Sequence, residues 1–113
     1  LYDTTDSIKL FHNDADCTVS VKYYPEIGIN LYNPGIHMSL TELRTATDDK
    51  LAILGNIPPR DVLASGSQND VSAAVKALRA ESDGFDKIIF SCGGGMPPSV
   101  STENIKAFIG ALM

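Results

Sequence analysis

Four short apolar runs, Ile8–Phe11, Ile29–Asn33, Leu51–Leu54 and Lys87–Phe90, recur along the chain, each followed by a polar or glycine-bearing loop. Runs this short and this continuous suit strands covered on both faces better than the alternating strands of an antiparallel sheet. The stretches between them are long enough for crossovers, and right-handed crossovers lay each helix on a face of the sheet. The expected class is α/β, with a parallel sheet made by four βα units.

The crossovers differ in how clearly they read as helices. From Cys17 to Glu26 the residues Val19, Val21, Tyr23 and Tyr24 mix two periods and Pro25 interrupts; a helix closed by Gly28 is expected. Ile29–Asn33 stops at the turn signal Asn33-Pro34-Gly35. Ser39 with Glu42 forms a capping box ahead of Leu40 and Leu43, so a helix starts there. Leu51–Leu54 ends at Gly55-Asn56, before the stiff Pro58-Pro59. Ser67 caps a helix running to Arg79, with Val71, Ala74, Val75 and Leu78 on one face. Ser101 caps the last helix, with Glu103 at its positive end and Ile105, Phe108, Ile109 and Leu112 at helical spacing.

The 113 residues, 43% of them hydrophobic, suffice for one core, and one domain over residues 1–113 is expected; the Asp/Thr-rich start before Ile8 is the only candidate boundary. An eight-stranded barrel needs about 250 residues, so four units supply about half of its strands. The sheet is either an open sandwich or half a barrel. In the second case its raw edges need covering, by further chain or by a second copy, so a homo-oligomer is expected.

Nine basic and fourteen acidic side chains give a net charge of -5 with no basic cluster, which argues against a nucleic-acid partner. No apolar run approaches the roughly 18 residues of a membrane span, and Leu1–Asp6 has no signal-peptide character, so a cytoplasmic location is expected. Cys17 and Cys92 show no CxxC spacing and read as free thiols.

Candidate chemistry lies in the loops after the strands, where sites of α/β folds sit. In His12-Asn13-Asp14 the alternation of a strand puts His12 and Asp14 on one face, where imidazole and carboxylate can hold a metal or move a proton. The same cluster can instead serve turn amides. Gly93, Gly94 and Gly95 follow a strand and precede a capped helix; they lack GxGxxG spacing, and either let a ligand approach bare backbone or form a tight turn. Cys92 has no basic neighbour to activate it, and His37 sits in a turn.

Two segments carry a family resemblance. Gly55-Asn56-Ile57-Pro58-Pro59 through Leu63-Ala64-Ser65-Gly66-Ser67 resembles a signature of uroporphyrinogen decarboxylase-like proteins, and Gly93–Pro98 through Glu103-Asn104-Ile105-Lys106-Ala107 resembles the closing segment of the same superfamily. The resemblance runs from Ile8 to Met113 and implies the last four βα units of a TIM (β/α)8 barrel, a C-terminal portion that does not act alone. Corrinoid-dependent methyltransferases of this superfamily bind zinc through His-x-Cys after the first of these strands and a further Cys in the glycine loop. Here the corresponding positions are His12, Asp14 and Gly94. The decarboxylase branch has a His where Gly94 stands. The resemblance therefore implies methyl transfer with a small-molecule donor or acceptor, a corrinoid (cobalamin) on a partner protein, His12 and Asp14 as catalytic or zinc ligands, and Asn56 with Gly93–Gly95 around substrate or cofactor. Tetrapyrrole decarboxylation and a non-catalytic half-barrel are the alternatives.

Overall fold

A computed structural model describes residues 7–113, so the Asp/Thr-rich start lies outside the described residues. Strands β1 (Leu10–Asn13), β2 (Leu31–Pro34), β3 (Ala52–Leu54) and β4 (Ile88–Ile89) form one parallel sheet in the order β1-β2-β3-β4. Strands consecutive in sequence are neighbours throughout, without the reversal of a doubly wound sheet; this is the order of part of a (β/α)8 barrel. Beyond β3 and β4 the two chains stay paired through a bridge between Ile57 and Cys92.

The register sorts the side chains into two faces. Phe11, Tyr32, Ile53 and Ile88 stand in one row, and this row meets the core of Val21, Tyr24, Leu40, Leu43, Val71 and Val75. Tyr24 sets its ring edge-on to both Phe11 and Tyr32, with centroids 5.1 and 5.2 Å apart, a geometry that adds to simple area burial. The opposite face carries Leu10, His12, Leu31, Asn33, Leu54 and Ile89. Leu10 and Ile89 are 55% and 54% exposed there, although in a closed barrel this face is the packed interior.

Three helices follow their capping signals. α1 (Leu40–Thr47) and α2 (Gln68–Glu81) open with capping boxes, Ser39 with Glu42 and Ser67 with Asp70. In α3 (Thr102–Leu112) Ser101 accepts from the Asn104 amide. Each cap satisfies amides that a helix start leaves without partners. α2 runs two residues past Arg79 and packs along α3.

Two segments depart from expectation. Cys17–Glu26 is not a helix but a series of turns around one 3-10 turn, Val21–Tyr23. Pro25 has no amide to donate, and Tyr24 is held across the sheet by Phe11 and Tyr32 instead of on a helical face. Pro59–Ala64 forms a single π turn, closed by Leu63 N to Pro58 O at 3.2 Å and Ser65 N to Arg60 O at 3.0 Å. Strand one also starts later than expected, since Ile8 is 76% exposed and lies outside β1.

Candidate functional site

The carboxyl ends of the strands converge on one rim, and buried Asn33 ties it together. Its Nδ2 donates to Leu54 O at 2.6 Å and to Cys92 O at 3.3 Å, while its Oδ1 meets His12 Nδ1 at 2.8 Å. Strands β1, β2 and β3 and the loop after β4 thus share one side chain. The sequence presents Asn33 only as a turn former; the signal that finds it is its position directly opposite His12 in the parallel register.

The His12-Asn13-Asp14 cluster divides its work. Asn13 serves the turn, accepting from Ala15 N at 3.0 Å, and its carbonyl accepts from the Tyr32 hydroxyl at 3.0 Å. Burial, then the contact with Cys17, pushes the Tyr32 phenol far above its ordinary range and keeps it a donor. His12 and Asp14 turn to the rim, with Nε2 and Oδ2 3.5 Å apart and side chains 51% and 60% exposed. An ion pair this open adds about 1 kcal/mol at most, so its interest is positional.

Glycines let the three loops stack. A Cβ on Gly35 would stand 2.6 Å from Asp14 O, and one on Gly93 would stand 3.1 Å from Gly35 O. Gly94 holds φ 79°, and a Cβ there would collide with the Asp14 carboxylate, 2.9 Å from Oδ2. The carboxylate of Asp14 therefore fills the place of a side chain at position 94. Gly95 is exposed, with open space around it.

Together these loops border a cavity of about 460 Å³ whose lining includes Asp14, Gly35, Pro58, Arg60, Asp61 and Gly93. Arg60 and Asp61, both exposed, escaped the sequence reading; their signal was their place directly after β3 and the Pro58-Pro59 step. Of the expected site residues, Asp14, Gly93 and Gly95 line this cavity, whereas His12, Asn56 and Gly94 do not; Gly94 lines the apolar cavity beside Cys92. Asn56 Nδ2 donates to Met38 O at 2.8 Å and reaches Gly35 O at 3.5 Å, so it braces the loop after β2. Asn104 acts similarly, donating to Leu63 O at 2.8 Å and Gly66 O at 2.9 Å to anchor the π turn on α3. His37 is exposed away from this lining, near enough to Asp16 to contribute weakly to its lowered pKa, which Thr18 dominates. Cys92 is buried with Sγ 3.1 Å from Gly94 O, in a second, apolar cavity with Phe90, Met96 and Phe108. Cys17 is also a free thiol, against Met38 Sδ at 3.6 Å.

The donors do not match a zinc centre. A catalytic zinc takes three protein ligands, whereas His12 and Asp14 make two, Gly94 offers no side chain, and no group of three His, Cys, Asp or Glu side chains that could hold a metal occurs among the described residues. As paired, imidazole and carboxylate can accept and hold a proton, and Asp14, which lines the cavity where His12 does not, can hydrogen-bond a polar ligand in it. No helix among the described residues is long and apolar enough to cross a membrane.

Comparison with solved structures finds a methyltransferase from Methanosarcina mazei, superposing with a TM-score of 0.81 at 18% identity over 94% of this chain and 31% of that one. The likeness is one of fold, and the chain spans under a third of that structure's length. Among curated proteins none matches. A family model, Uroporphyrinogen decarboxylase (URO-D), matches residues 3–113. On that match and the strand order, the chain belongs to the uroporphyrinogen decarboxylase family and forms part of that family's barrel.

Proposed function

We propose that this part of the barrel carries the site of a corrinoid-dependent methyltransferase, in which His12 and Asp14 handle the proton of the methyl acceptor. The observation that carries the reading is the meeting of His12, Asp14 and Gly93–Gly95 at one rim beside a cavity of about 460 Å³. The fold likeness to a methyltransferase supports it. A corrinoid borne by a partner protein supplies the methyl group. As a thiol or amine acceptor forms its bond to that methyl, the bond between methyl and carrier would break with its electron pair left on the carrier, and the acceptor gives up its proton; His12 Nε2 takes it, and the Asp14 carboxylate, 3.5 Å away, stabilises the resulting imidazolium. Gly93 and Gly95, which add no side chain to the cavity wall, leave room for a bulky donor.

The test is methyl transfer from methylcobalamin to thiol and amine acceptors, followed by the cobalamin spectrum on the intact protein. A general base contributes about 10²–10⁴ in rate, so His12→Ala is expected to lower the rate about a hundredfold or more. Unchanged turnover in the variant sinks the proposal. Decarboxylation of a porphyrinogen with no methyl transfer would favour the other branch of the family.

A further inference from the structure

We infer that Asn33 is the positioning residue of the rim: it holds neutral His12 as the Nδ1–H tautomer and leaves Nε2 as the working nitrogen. The amide nitrogen of Asn33 lies between two carbonyl oxygens, Leu54 O at 2.6 Å and Cys92 O at 3.3 Å. Carbonyls only accept, so the group facing them must be the NH2. Flipping the amide would lose both of these bonds and set Oδ1 against two carbonyl oxygens, with no donor to accept from, in a residue that is 9% exposed, and each buried polar group left without a partner costs about 1–3 kcal/mol. The amide orientation is thus dictated by its neighbours. Oδ1 is left pointing at His12 Nδ1, 2.8 Å away; an oxygen there can only accept, so Nδ1 carries the hydrogen.

The consequence reaches the rim. With Nδ1 committed to Asn33, a neutral His12 presents a bare lone pair at Nε2, the atom that faces Asp14. It can take a proton and has none to give until it has done so. Because Asn33 draws its other two bonds from β3 and the loop after β4, the imidazole is referenced to three neighbouring segments of the rim and not to β1 alone.

The proton-accepting role rests on the function proposed above, but the tautomer can be read without any turnover. Long-range proton–nitrogen correlation spectra of the 15N-labelled chain, at alkaline pH where imidazole is neutral, separate the two forms by the nitrogen shifts. His37→Gln assigns the two histidines. For His12 the ratio of the Nδ1–H to the Nε2–H form should rise about fivefold or more above that of free histidine, the shift that about 1 kcal/mol of hydrogen bond supplies. Asn33→Leu, with amide dispersion retained, should return His12 to the Nε2–H form that free histidine favours. An Nε2–H His12 in the unmodified chain overturns the inference, as does an Nδ1–H form that survives in the variant. Should Asn33→Leu fail to fold, the unmodified chain's tautomer decides alone. A locked tautomer without methyl transfer would refute the proposed function and leave the positioning role standing.

Discussion

Substituting Gly94 with alanine perturbs the rim at the point where Asp14 fills the place of a missing side chain. Two costs follow from the geometry. At φ 79° an alanine pays about 1–2 kcal/mol for the left-handed backbone. Its Cβ also invades the Asp14 carboxylate, but that side chain is 60% exposed and can rotate away, so the second cost, at a pH where His12 is protonated, is chiefly the lost contact with His12, about 1 kcal/mol or less. Gly94→Ala should therefore lose about 2 kcal/mol, read as a lower urea midpoint at constant m-value. In an Asp14→Ala background the steric part vanishes and only the backbone cost remains, so the two substitutions should couple by about 0.5–1 kcal/mol. Gly95→Ala is the control: nothing lies within 4 Å of its Cβ and its φ is not positive, so its effect should stay within about 0.5 kcal/mol. Equal losses at positions 94 and 95, or strict additivity of the cycle with Asp14, would refute the reasoning.

Other expectations follow from single contacts. Asn104→Ala should cost about 2 kcal/mol in the same urea assay, because it removes the donor to the buried carbonyl of Leu63 and the partly buried one of Gly66; a loss under half of that would show the π turn does not depend on α3. The backbone and side chain of Ser67 hold the Asp70 carboxyl below its ordinary 3.8. A folded pKa below the unfolded one gives stability that is present above 3.8 and fades as pH falls through the depressed value. Asp70→Asn should accordingly reduce the pH dependence of the melting temperature below about pH 4, leaving the share of the similarly lowered Asp16 and Asp49, and an unchanged acid limb would contradict the assignment. Leu10 and Ile89 on the open face, with β1 and β4 ending the strand order, should make the isolated chain self-associate. Sedimentation should then show a dimer or larger that Ile89→Lys disperses, and a well-folded monomer at all concentrations would argue against it.

The parts of the fold that were legible are those with local causes. Ser39, Ser67 and Ser101 each cap a helix by bonding an amide three residues on, and such signals survive without knowledge of the rest of the chain. The strands were legible because their apolar runs are bounded by breakers. Cys17–Glu26 was not, since the position of Tyr24 is decided by two rings on neighbouring strands, Phe11 and Tyr32. The π turn after Pro58-Pro59 was also missed; its amide anchor, Asn104, lies 41 residues from Leu63.

The site divides along the same line, and Asp14 shows why. That His12 and Asp14 share a face follows from strand alternation, a local rule. That Asp14 lies over residue 94 depends on Gly35 and Gly93 letting three loops stack, which no local rule reveals. In the methyltransferase branch that the motifs resemble, one thiolate stands at each of the positions held here by Asp14 and Gly94. The structure joins the two positions: a bare residue at 94 makes room for the carboxylate, which in this rotamer occupies the space a side chain there would take. Asp14 and Gly94 are thus one spatial unit, in which a single carboxylate beside an imidazole bonded to Asn33 fills the space next to residue 94.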